Sequence, residues 1–465
     1  MTDIGQKMDR CRAEHDGLER HAMMQIEQPA AAPASTQVGF DTDSARPTQR
    51  ETAELMDQEQ ASAGPTLRCL WLMRQIPARL DAGDSVYSVR LVQAFARSGV
   101  EVAVFGLSER ATEIGHAALA NLSWHGVEGP QRSRTRSLFS MLPLEAARHA
   151  TPKYKQELRD ALRAHVFDVI VIDHYGLGWA LEDTIRQGIG NPKIIYVAHN
   201  HEAALWRQLA NDFKGNALKR AALLLNAVKI AYFEHRLVKR VDLVTAITAA
   251  DAAALARTKT KRAPITLRPG YDGPRVATRH ITEQTPRKAV ILGSFRWVAK
   301  QLNLETFLKA ADNLFAENTI MLDVIGDVPL EVRDRWEGRL RATRFRGFVD
   351  DIEGALADAR IGIVAEGTGG GFKLKLLDYV FRRLPIAAIE GSLTGAEDLG
   401  PYVLSAANAE ALAQGTVTLM DDIERLNEMH NGAFAVASHQ FDWDRDGEQL
   451  RSSIEILHGS AVEKI

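Results

Sequence analysis

Apolar and polar positions in the chain alternate between short hydrophobic runs and longer segments with helical spacing. Runs such as LRCLWLM, which starts at Leu67, predict buried strands, and segments such as Val86–Ser98 predict helices. The same order of strand, loop and helix returns from KAVILGSF onward. Strand–helix alternation in both halves predicts an α/β fold with two doubly wound, Rossmann-like domains, each built on a parallel sheet.

Shifts in composition predict the domain boundaries. Residues 1–65 are rich in small polar and charged residues and poor in aromatics, which predicts a disordered polar tail. The first domain is expected over 66–272, ending where Pro and Gly interrupt PITLRPGYD. The second domain is expected over 285–435, and 436–465 are expected to form a final helix.

Composition excludes several classes of protein. The 465 residues are 45% hydrophobic and 25% charged, with a formal net charge of −3, so no overall basic field indicates a nucleic-acid partner. The two cysteines, Cys11 and Cys69, lie in the polar tail and in a predicted strand, and we expect no disulfide. Neither a secretory signal nor a membrane-length apolar run is evident, which favours a cytoplasmic location.

The most informative stretch is Arg360–Pro385, which combines a strand, a glycine-rich loop and a helix. The loop Glu366–Gly371 contains four glycines, and Phe372–Arg383 has helical spacing. Lys373 and Lys375 fall in the first turn of this predicted helix, where the helix dipole disfavours cations. Glycines followed by lysines at this position indicate a phosphate group held by backbone N–H and ammonium groups.

Other polar residues extend this prediction. Asp378 lies one turn after Lys375, where it can accept a hydrogen bond from a hydroxyl such as that of a ribose. Arg296 and Lys300 follow the first strand of the second domain, on the same carboxyl-end side as the lysines of the loop. Four cations in one cleft would suit a diphosphate. The alternative is a solvated surface on which Asp378 pairs with Lys375 or Arg382.

Polar residues also follow strands of the first domain. His199, Asn200, His201 and Glu202 come directly after IIYVA, at an edge of a parallel sheet where ligands collect. Gly83 stands before Asp84 and Ser85 at a helix start, where it would admit a ligand or where the two polar residues would simply cap the helix. No third ligand has metal-site spacing, so we predict no metal and no cofactor.

The segment Phe213–Arg240 is a long helical pattern with many basic residues. Two interpretations are open: a helix that docks on a membrane surface, or a core helix with a solvated basic face. The second is the more common use of such a pattern.

At this point the chain resembles the GT-B glycosyltransferases, especially the retaining family-four (group 1) type. GGGFKLKLLDYVFRRLPIAAI resembles their donor segment, and PARLDAGDSVYSVRLVQAFARSGVEVAVF resembles their first strand–helix unit. IIYVAHNHEA, RVDLVTAITAADAAAL, LGSFRWVAKQLNLETFL and FRGFVDDIEGALADARIGIVA resemble other segments in the same order. FDWDR resembles the start of the closing helix that crosses back to the first domain. The resemblance covers about Leu67–Leu457.

The resemblance implies transfer of a sugar from a UDP-, GDP- or dTDP-sugar to a saccharide or lipid-linked hydroxyl acceptor, with retention. It implies synthesis of a bacterial polysaccharide or glycolipid, without a metal, in the cytoplasm or peripherally at the inner membrane. The implied catalytic residues are His199, Lys300 and Lys375. The implied substrate-binding residues are Gly83, His201, Glu202, Gly293, Arg296, Gly370, Gly371, Lys373 and Asp378.

The sequence departs from the family pattern in ways that leave alternatives open. The first of two family glutamates would fall at Gly370, and Asp378 replaces the second. A sugar-nucleotide epimerase or hydrolase of the same fold, and a non-catalytic nucleotide-sugar-binding relative, therefore remain alternatives. A nicotinamide oxidoreductase is disfavoured because the glycine fingerprint of dinucleotide binding is missing.

Overall fold

The computed structural model describes residues 67–78, 80, 83–108, 119–213, 215–349, 351–367 and 371–462. The predicted disordered tail, residues 1–65, lies outside these described residues, and so does Gly370.

The first half of the described chain is built on a parallel sheet of seven strands in the order β3-β2-β1-β4-β5-β6-β7. Its strands form because runs such as VIVID are buried on both faces, as parallel sheets require. The strands are β1 Arg68–Gln75, β2 Glu101–Ser108, β3 Leu122–Glu128, β4 Val169–Asp173, β5 Lys193–Ala198, β6 Leu243–Ala246 and β7 Ile265–Thr266.

Helices connect these strands and cover the sheet. They are Gly83–Arg97, Arg134–Leu138, Leu144–His149, Pro152–Ala164, Leu181–Gln187, Glu202–Asp212, Ala217–Arg240 and Ala249–Ala256, with a 3-10 turn at Tyr175–Ala180.

The second half contains a parallel sheet of six strands in the order β10-β9-β8-β11-β12-β13. The strands are β8 Lys288–Leu292, β9 Met321–Ile325, β10 Thr343–Gly347, β11 Ile361–Val364, β12 Ile386–Ile389 and β13 Val403–Ala406. The helices are Val298–Glu317, Leu330–Trp336, Ile352–Ala357, Lys375–Phe381, Ala409–Leu419 and Ile423–Ala437, with a 3-10 turn at Glu397–Tyr402. The predicted fold class, two doubly wound Rossmann-like domains, is therefore confirmed.

The last helix, Trp443–Val462, packs on the first domain. Asp444 pairs with Arg97 of the helix Gly83–Arg97 at 2.6 Å. A side chain at Gly447 would place its Cβ 2.4 Å from the carbonyl oxygen of Ala94, so the two helices touch through backbone at this point. Trp443, Leu450 and Ile454 are buried in the core beneath the first sheet.

The strand order reverses direction once in each sheet, between β1 and β4 in the first and between β8 and β11 in the second. In open α/β sheets the carboxyl ends of the two strands at such a reversal flank a crevice, and ligands bind there. The residues that follow these four strands are therefore the first place to look for a site.

Three predicted elements differ from the structure. The helix predicted over Phe372–Arg383 begins only at Lys375, because Gly371 has a positive φ of 76° and the chain still turns at Leu374. The helical segment expected from Phe213 begins at Ala217. The edge strand β3 escaped prediction because only one side of LSWHGVE is buried and its apolar pattern is weak.

Candidate active site

Glu366, which follows β11, is the centre of a buried cluster of lysines. The Nζ of Lys375 lies 2.6 Å from its Oε1, and the Nζ of Lys373 lies 3.8 Å from its Oε2. All three side chains are at least nine-tenths buried. Burial opposes ionisation of the Glu366 carboxyl, but nearby lysine charges, that of Lys375 first, outweigh it and lower its pKa to about 2.

Lys300 joins this cluster from the helix Val298–Glu317. Desolvation lowers the pKa of Lys300, while the charge of Glu366 opposes the shift. Three ammonium groups thus share one carboxylate, which leaves an excess of positive charge at the crevice of the second sheet. Lys375 is the first residue of a helix of only seven residues and Lys373 precedes it, so their charges gather around Glu366 rather than in a helical turn as predicted.

Arg296 is placed differently. Its side chain is 67% exposed and pairs with Asp327, so the fourth predicted cation is not part of the buried cluster.

Two glycines make room for Lys375 beside the end of β8. A Cβ on Gly293 would lie 3.2 Å from the Nζ of Lys375. Gly326, with φ of 120°, would place a Cβ 2.0 Å from the carbonyl oxygen of Gly293. A side chain is excluded at Gly326 and would crowd the Lys375 ammonium group at Gly293, so the two glycines leave the lysine room to reach the crevice.

Gly371 brings the glycine-rich loop against the first domain. Its φ is 76°, and a Cβ there would lie 2.3 Å from Oδ1 of Asn200 and 3.7 Å from the carbonyl oxygen of His199. Gly83 lies at the same contact, since its Cβ would be 3.5 Å from Leu374. The lysine-bearing loop therefore adjoins the polar residues that follow β5.

His199 and Asp173 form a buried pair at the ends of the adjacent strands β5 and β4. The Nε2 of His199 is 2.6 Å from Oδ1 of Asp173, whose Oδ2 accepts a hydrogen bond of 3.0 Å from Nε1 of Trp71. Burial would raise the pKa of Asp173, but the charge of His199 and the hydrogen bonds to the carboxylate lower it. Among the described residues, the buried Nδ1 of His199 has no hydrogen-bond partner. That nitrogen is the candidate atom for a ligand contact in this pair.

A cavity of about 220 Å³ lies beside this pair, at the reversal point of the first sheet. Arg74, near the end of β1, lines it and pairs with Asp84 and, at 3.2 Å, with Glu145. Burial would raise the pKa of both carboxyls, but the charge of Arg74 lowers it in each case. Asp84 thus serves as an ion-pair partner at the helix start next to Gly83. Apart from Met73, the cavity is lined by charged and polar residues.

His201 and Glu202 have protein partners. Glu202 is buried, and its carboxylate accepts hydrogen bonds of 3.1 Å from Asn200 and from Trp206. The backbone N–H of His201 donates to Asp251, and its ring lies 3.9 Å from Glu234. These contacts place both residues in the wall that holds the loop after β5.

Asp378 pairs with Arg382 at 2.6 Å and accepts a hydrogen bond of 3.3 Å from Tyr271. Burial raises the pKa of Asp378. Pairing with Arg382 was the alternative considered for this residue, and the structure contains it.

Sequence analysis assigned no role to several residues of these clusters. The sequence does contain a signal for Asp173 as a site residue, because it is a carboxylate at the end of a buried strand. Arg74 and Glu145 offer no local signal, since 71 positions separate them and only the fold pairs them. Glu366 was noticed in the loop, but its pairing with the lysines was not predicted.

Within the described ranges, no group of three or more His, Cys, Asp or Glu side chains is arranged to hold a metal ion. The same part of the chain contains no helix long and apolar enough to cross a bilayer.

The chain matches two protein families in sequence. Residues 82–270 match the Glycosyl transferase 4-like domain, and residues 286–422 match the Glycosyl transferases group 1 family. None of the curated proteins compared with it matches.

Solved structures share the fold. Sucrose-phosphate synthase from Thermosynechococcus elongatus has 16% identity and a TM-score of 0.65, over 85% of this chain and 100% of that chain. WaaG, a glycosyltransferase involved in lipopolysaccharide biosynthesis, has 16% identity and a TM-score of 0.57, over 83% and 99%. HepE from Anabaena, in complex with UDP-glucose, has 14% identity and a TM-score of 0.53, over 84% and 99%.

The family matches fall on the two doubly wound domains in the expected order, and the resemblance noted in the sequence is confirmed. The chain is a glycosyltransferase of the GT-B fold, with a glycosyl transferase 4-like domain followed by a glycosyl transferases group 1 domain.

Proposed function

We propose that this glycosyltransferase moves a sugar from a nucleoside diphosphate sugar to a hydroxyl acceptor, with retention of the anomeric configuration. The observation that carries the proposal is the contact at Gly371, which joins a buried lysine cluster to the loop of a buried His–Asp pair. The first can hold a leaving diphosphate and the second can hold the reacting sugar.

The donor side of the reaction uses Lys375, Lys373 and Lys300. When the bond between the sugar and the diphosphate breaks, negative charge builds up on the departing phosphate oxygen. Preorganised ammonium groups in a buried site stabilise such charge better than water does, because they need no reorientation. The incoming diphosphate competes with Glu366 for these groups. The exposed Arg296 is assigned a lesser role at the rim.

The acceptor side uses the cavity at the first sheet. The acceptor oxygen bonds to the anomeric carbon on the face from which the diphosphate leaves, and its proton passes to the departing phosphate oxygen. Nδ1 of His199 accepts a hydrogen bond from a hydroxyl of the transferred sugar, while Asp173 fixes the ring through Nε2. His201 and Glu202 position this loop, and Asp378 receives the ribose at the outer end of the site.

The charge of the cavity favours a neutral acceptor. The single positive charge of Arg74 is offset by Asp84 and Glu145, and Asp173 adds a further carboxylate. An acceptor group that carries phosphate or carboxylate would face these acids and pay for desolvation. A saccharide hydroxyl, free or at the neutral end of a lipid-linked chain, fits better.

The similar structures support a nucleotide-sugar donor. HepE is described with UDP and with UDP-glucose, which supports a nucleoside diphosphate sugar here. UDP-, GDP- and dTDP-sugars are all candidates. WaaG is described in lipopolysaccharide biosynthesis, which supports a role in bacterial surface polysaccharide or glycolipid synthesis, in the cytoplasm or at the inner membrane. The three lysines would neutralise the charge of the diphosphate in place of a metal ion, so chelation of metals by EDTA should leave the rate of transfer unchanged.

The test is mass spectrometry of the protein incubated with a mixture of UDP-, GDP- and dTDP-sugars, with and without neutral saccharide acceptors. We expect a glycosylated acceptor and release of one nucleoside diphosphate. Lys375→Ala should lower turnover about 10²–10³-fold. The matched control is Lys309→Ala, which removes an exposed lysine from the helix that carries Lys300.

Three outcomes would contradict the proposal. Normal turnover by Lys375→Ala would remove the lysine cluster from the mechanism. Interconversion or hydrolysis of the donor at full rate without acceptor would favour the epimerase or hydrolase alternative. Nucleotide-sugar binding without product from any acceptor would favour a non-catalytic relative.

A further inference from the structure

A surface of the first domain combines exposed apolar side chains with a purely basic charge pattern. It is formed by the segment 132–141, which ends in the loop 138–141, and by the outer face of the helix Ala217–Arg240, and we call it the docking surface. Phe139 and Met141 are 92% and 93% exposed. Large apolar side chains that stand almost wholly in water are costly unless another surface covers them.

The helix contributes a second apolar face. Its buried residues, such as Ala227, Ile230 and Glu234, face the protein. Leu218, Leu225 and Tyr232 are exposed, follow one another at seven-residue intervals and therefore share one outer face. A helix on a protein surface normally presents polar side chains on that face.

The loop and the helix belong to one surface because Lys229 joins them. Its Nζ donates a hydrogen bond of 2.7 Å to the carbonyl oxygen of Ser140 and one of 3.4 Å to that of Leu138. Nearby, the backbone N–H of Leu144 donates to Oδ1 of Asn226 at 2.8 Å. The exposed side chains of the loop therefore lie beside the outer face of the helix.

The charge of this surface has one sign. The segments 129–144 and 213–233 contain no Asp or Glu, although the whole chain has a net charge of −3. Their basic residues within the described ranges are Arg132, Arg134, Arg136, Lys219, Arg220 and Lys229. Of the acids that flank these segments, Glu145 pairs with Arg74, Glu234 is buried and Glu128 lies 4.0 Å from Lys153, while Asp212 is exposed at the end of the preceding helix.

We propose that the docking surface binds an anionic lipid bilayer, with Phe139 and Met141 inserted among the acyl chains and the arginines and lysines at the headgroups. Apolar side chains within a basic surface are the combination that a negatively charged leaflet attracts. This inference specifies the membrane contact of the proposed function, but it rests on the exposed surface alone.

The position of the surface relative to the acceptor cavity supports this choice of occupant. The helix Leu144–His149 follows the loop directly, and two of its residues, Glu145 and His149, line the cavity. A lipid-linked acceptor held in the leaflet would thus enter the cavity next to the point where the protein meets the bilayer.

Vesicle flotation tests the proposal with the full chain. We expect binding to vesicles of equal parts phosphatidylcholine and phosphatidylglycerol, little binding to phosphatidylcholine alone, and release by high salt. Phe139→Ser with Met141→Ser should weaken binding to the mixed vesicles about tenfold. Arg134→Gln with Arg136→Gln should weaken it by a similar factor, about tenfold.

Phe348→Ser is the matched control, since Phe348 is also exposed but belongs to the second domain, and it should bind vesicles like the unaltered protein. Absence of binding to mixed vesicles would overturn the proposal, and so would equal binding by the Phe139→Ser/Met141→Ser variant. A dimer in light scattering that this variant dissociates would identify a second copy as the occupant and overturn it too. Transfer to a soluble neutral saccharide acceptor is measured on the same samples, so that failure of membrane binding and failure of the proposed transfer are distinguished.

Discussion

Replacement of Lys375 by alanine tests the electrostatics of the lysine cluster through stability as well as activity. Lys375 and Glu366 lie 2.6 Å apart and are both about nine-tenths buried. The lowering of the Glu366 pKa from its usual 4.5 to about 2 corresponds to about 3 kcal/mol of stability at neutral pH. Lys375 contributes the largest favourable charge, so its loss should cost about 2–3 kcal/mol at pH 7.

The sign of the pH dependence follows from the direction of the shift. Because the pKa of Glu366 is lower in the folded protein, its stabilisation is present above pH 4.5 and is lost as the pH falls toward 2. The unfolding free energy of the unaltered protein should therefore fall in acid. That of the Lys375→Ala variant should fall less, because most of this stabilisation is already absent. The difference in unfolding free energy between the two should shrink to about 1 kcal/mol at pH 3.

Urea denaturation followed by tryptophan fluorescence, at pH values between 7 and 3, measures this difference. Lys309→Ala serves as control and should match the unaltered protein within about 0.5 kcal/mol at each pH, as expected for an exposed position. A difference that stays constant from pH 7 to pH 3 would refute the argument, because it would show that Lys375 acts through packing rather than through the charge of Glu366.

Three further predictions concern other parts of the site. Gly371→Ala should lower kcat, measured by product formation. The new Cβ would lie 2.3 Å from Oδ1 of Asn200, and an alanine at a φ of 76° adds about 1–2 kcal/mol of strain. An unchanged kcat would show that this contact is dispensable. Asp173→Asn should lower turnover about 10²-fold or more and shift the pH–rate profile, because His199 loses the carboxylate that fixes its ring. An unchanged pH–rate profile would contradict a role of the His199–Asp173 pair in the reaction. Burial raises the pKa of Glu234 from 4.5 to about 8, so the folded protein should lose stability as the pH rises between these values. Glu234→Gln should flatten that slope in urea denaturation, and an equally steep slope would contradict the assignment.

The fold was accessible from the sequence because its strands are continuous apolar runs. VIVID and KIIYVA are buried along almost their whole length, and such runs separated by helical spacing leave few alternatives to doubly wound sheets. The edge strand β3 was missed because one side of it is solvated, and the start of the helix at Lys375 was misplaced because glycine flexibility is not visible in apolar periodicity.

The candidate site could be predicted from the sequence only in part. Lys373, Lys375 and His199 stand next to strand ends or glycines, so their types and positions pointed to a ligand. Pairings such as Arg74 with Glu145 depend on how distant segments meet, and no local pattern encodes them. The same limit applies to Arg296. Like Lys300, it follows strand β8 in the sequence, but its side chain is exposed and pairs with Asp327.

The packing of the final helix has a consequence for how the protein is made. Gly270 would place a Cβ 2.3 Å from the backbone nitrogen of Trp443, and Leu450 and Ile454 fill the core under the first sheet. A ribosome synthesises the first domain before the second, yet supplies Trp443, Leu450 and Ile454 only after both. The nascent first domain therefore waits, with an apolar surface open to chaperones, until the second domain and the helix Trp443–Val462 have been synthesised.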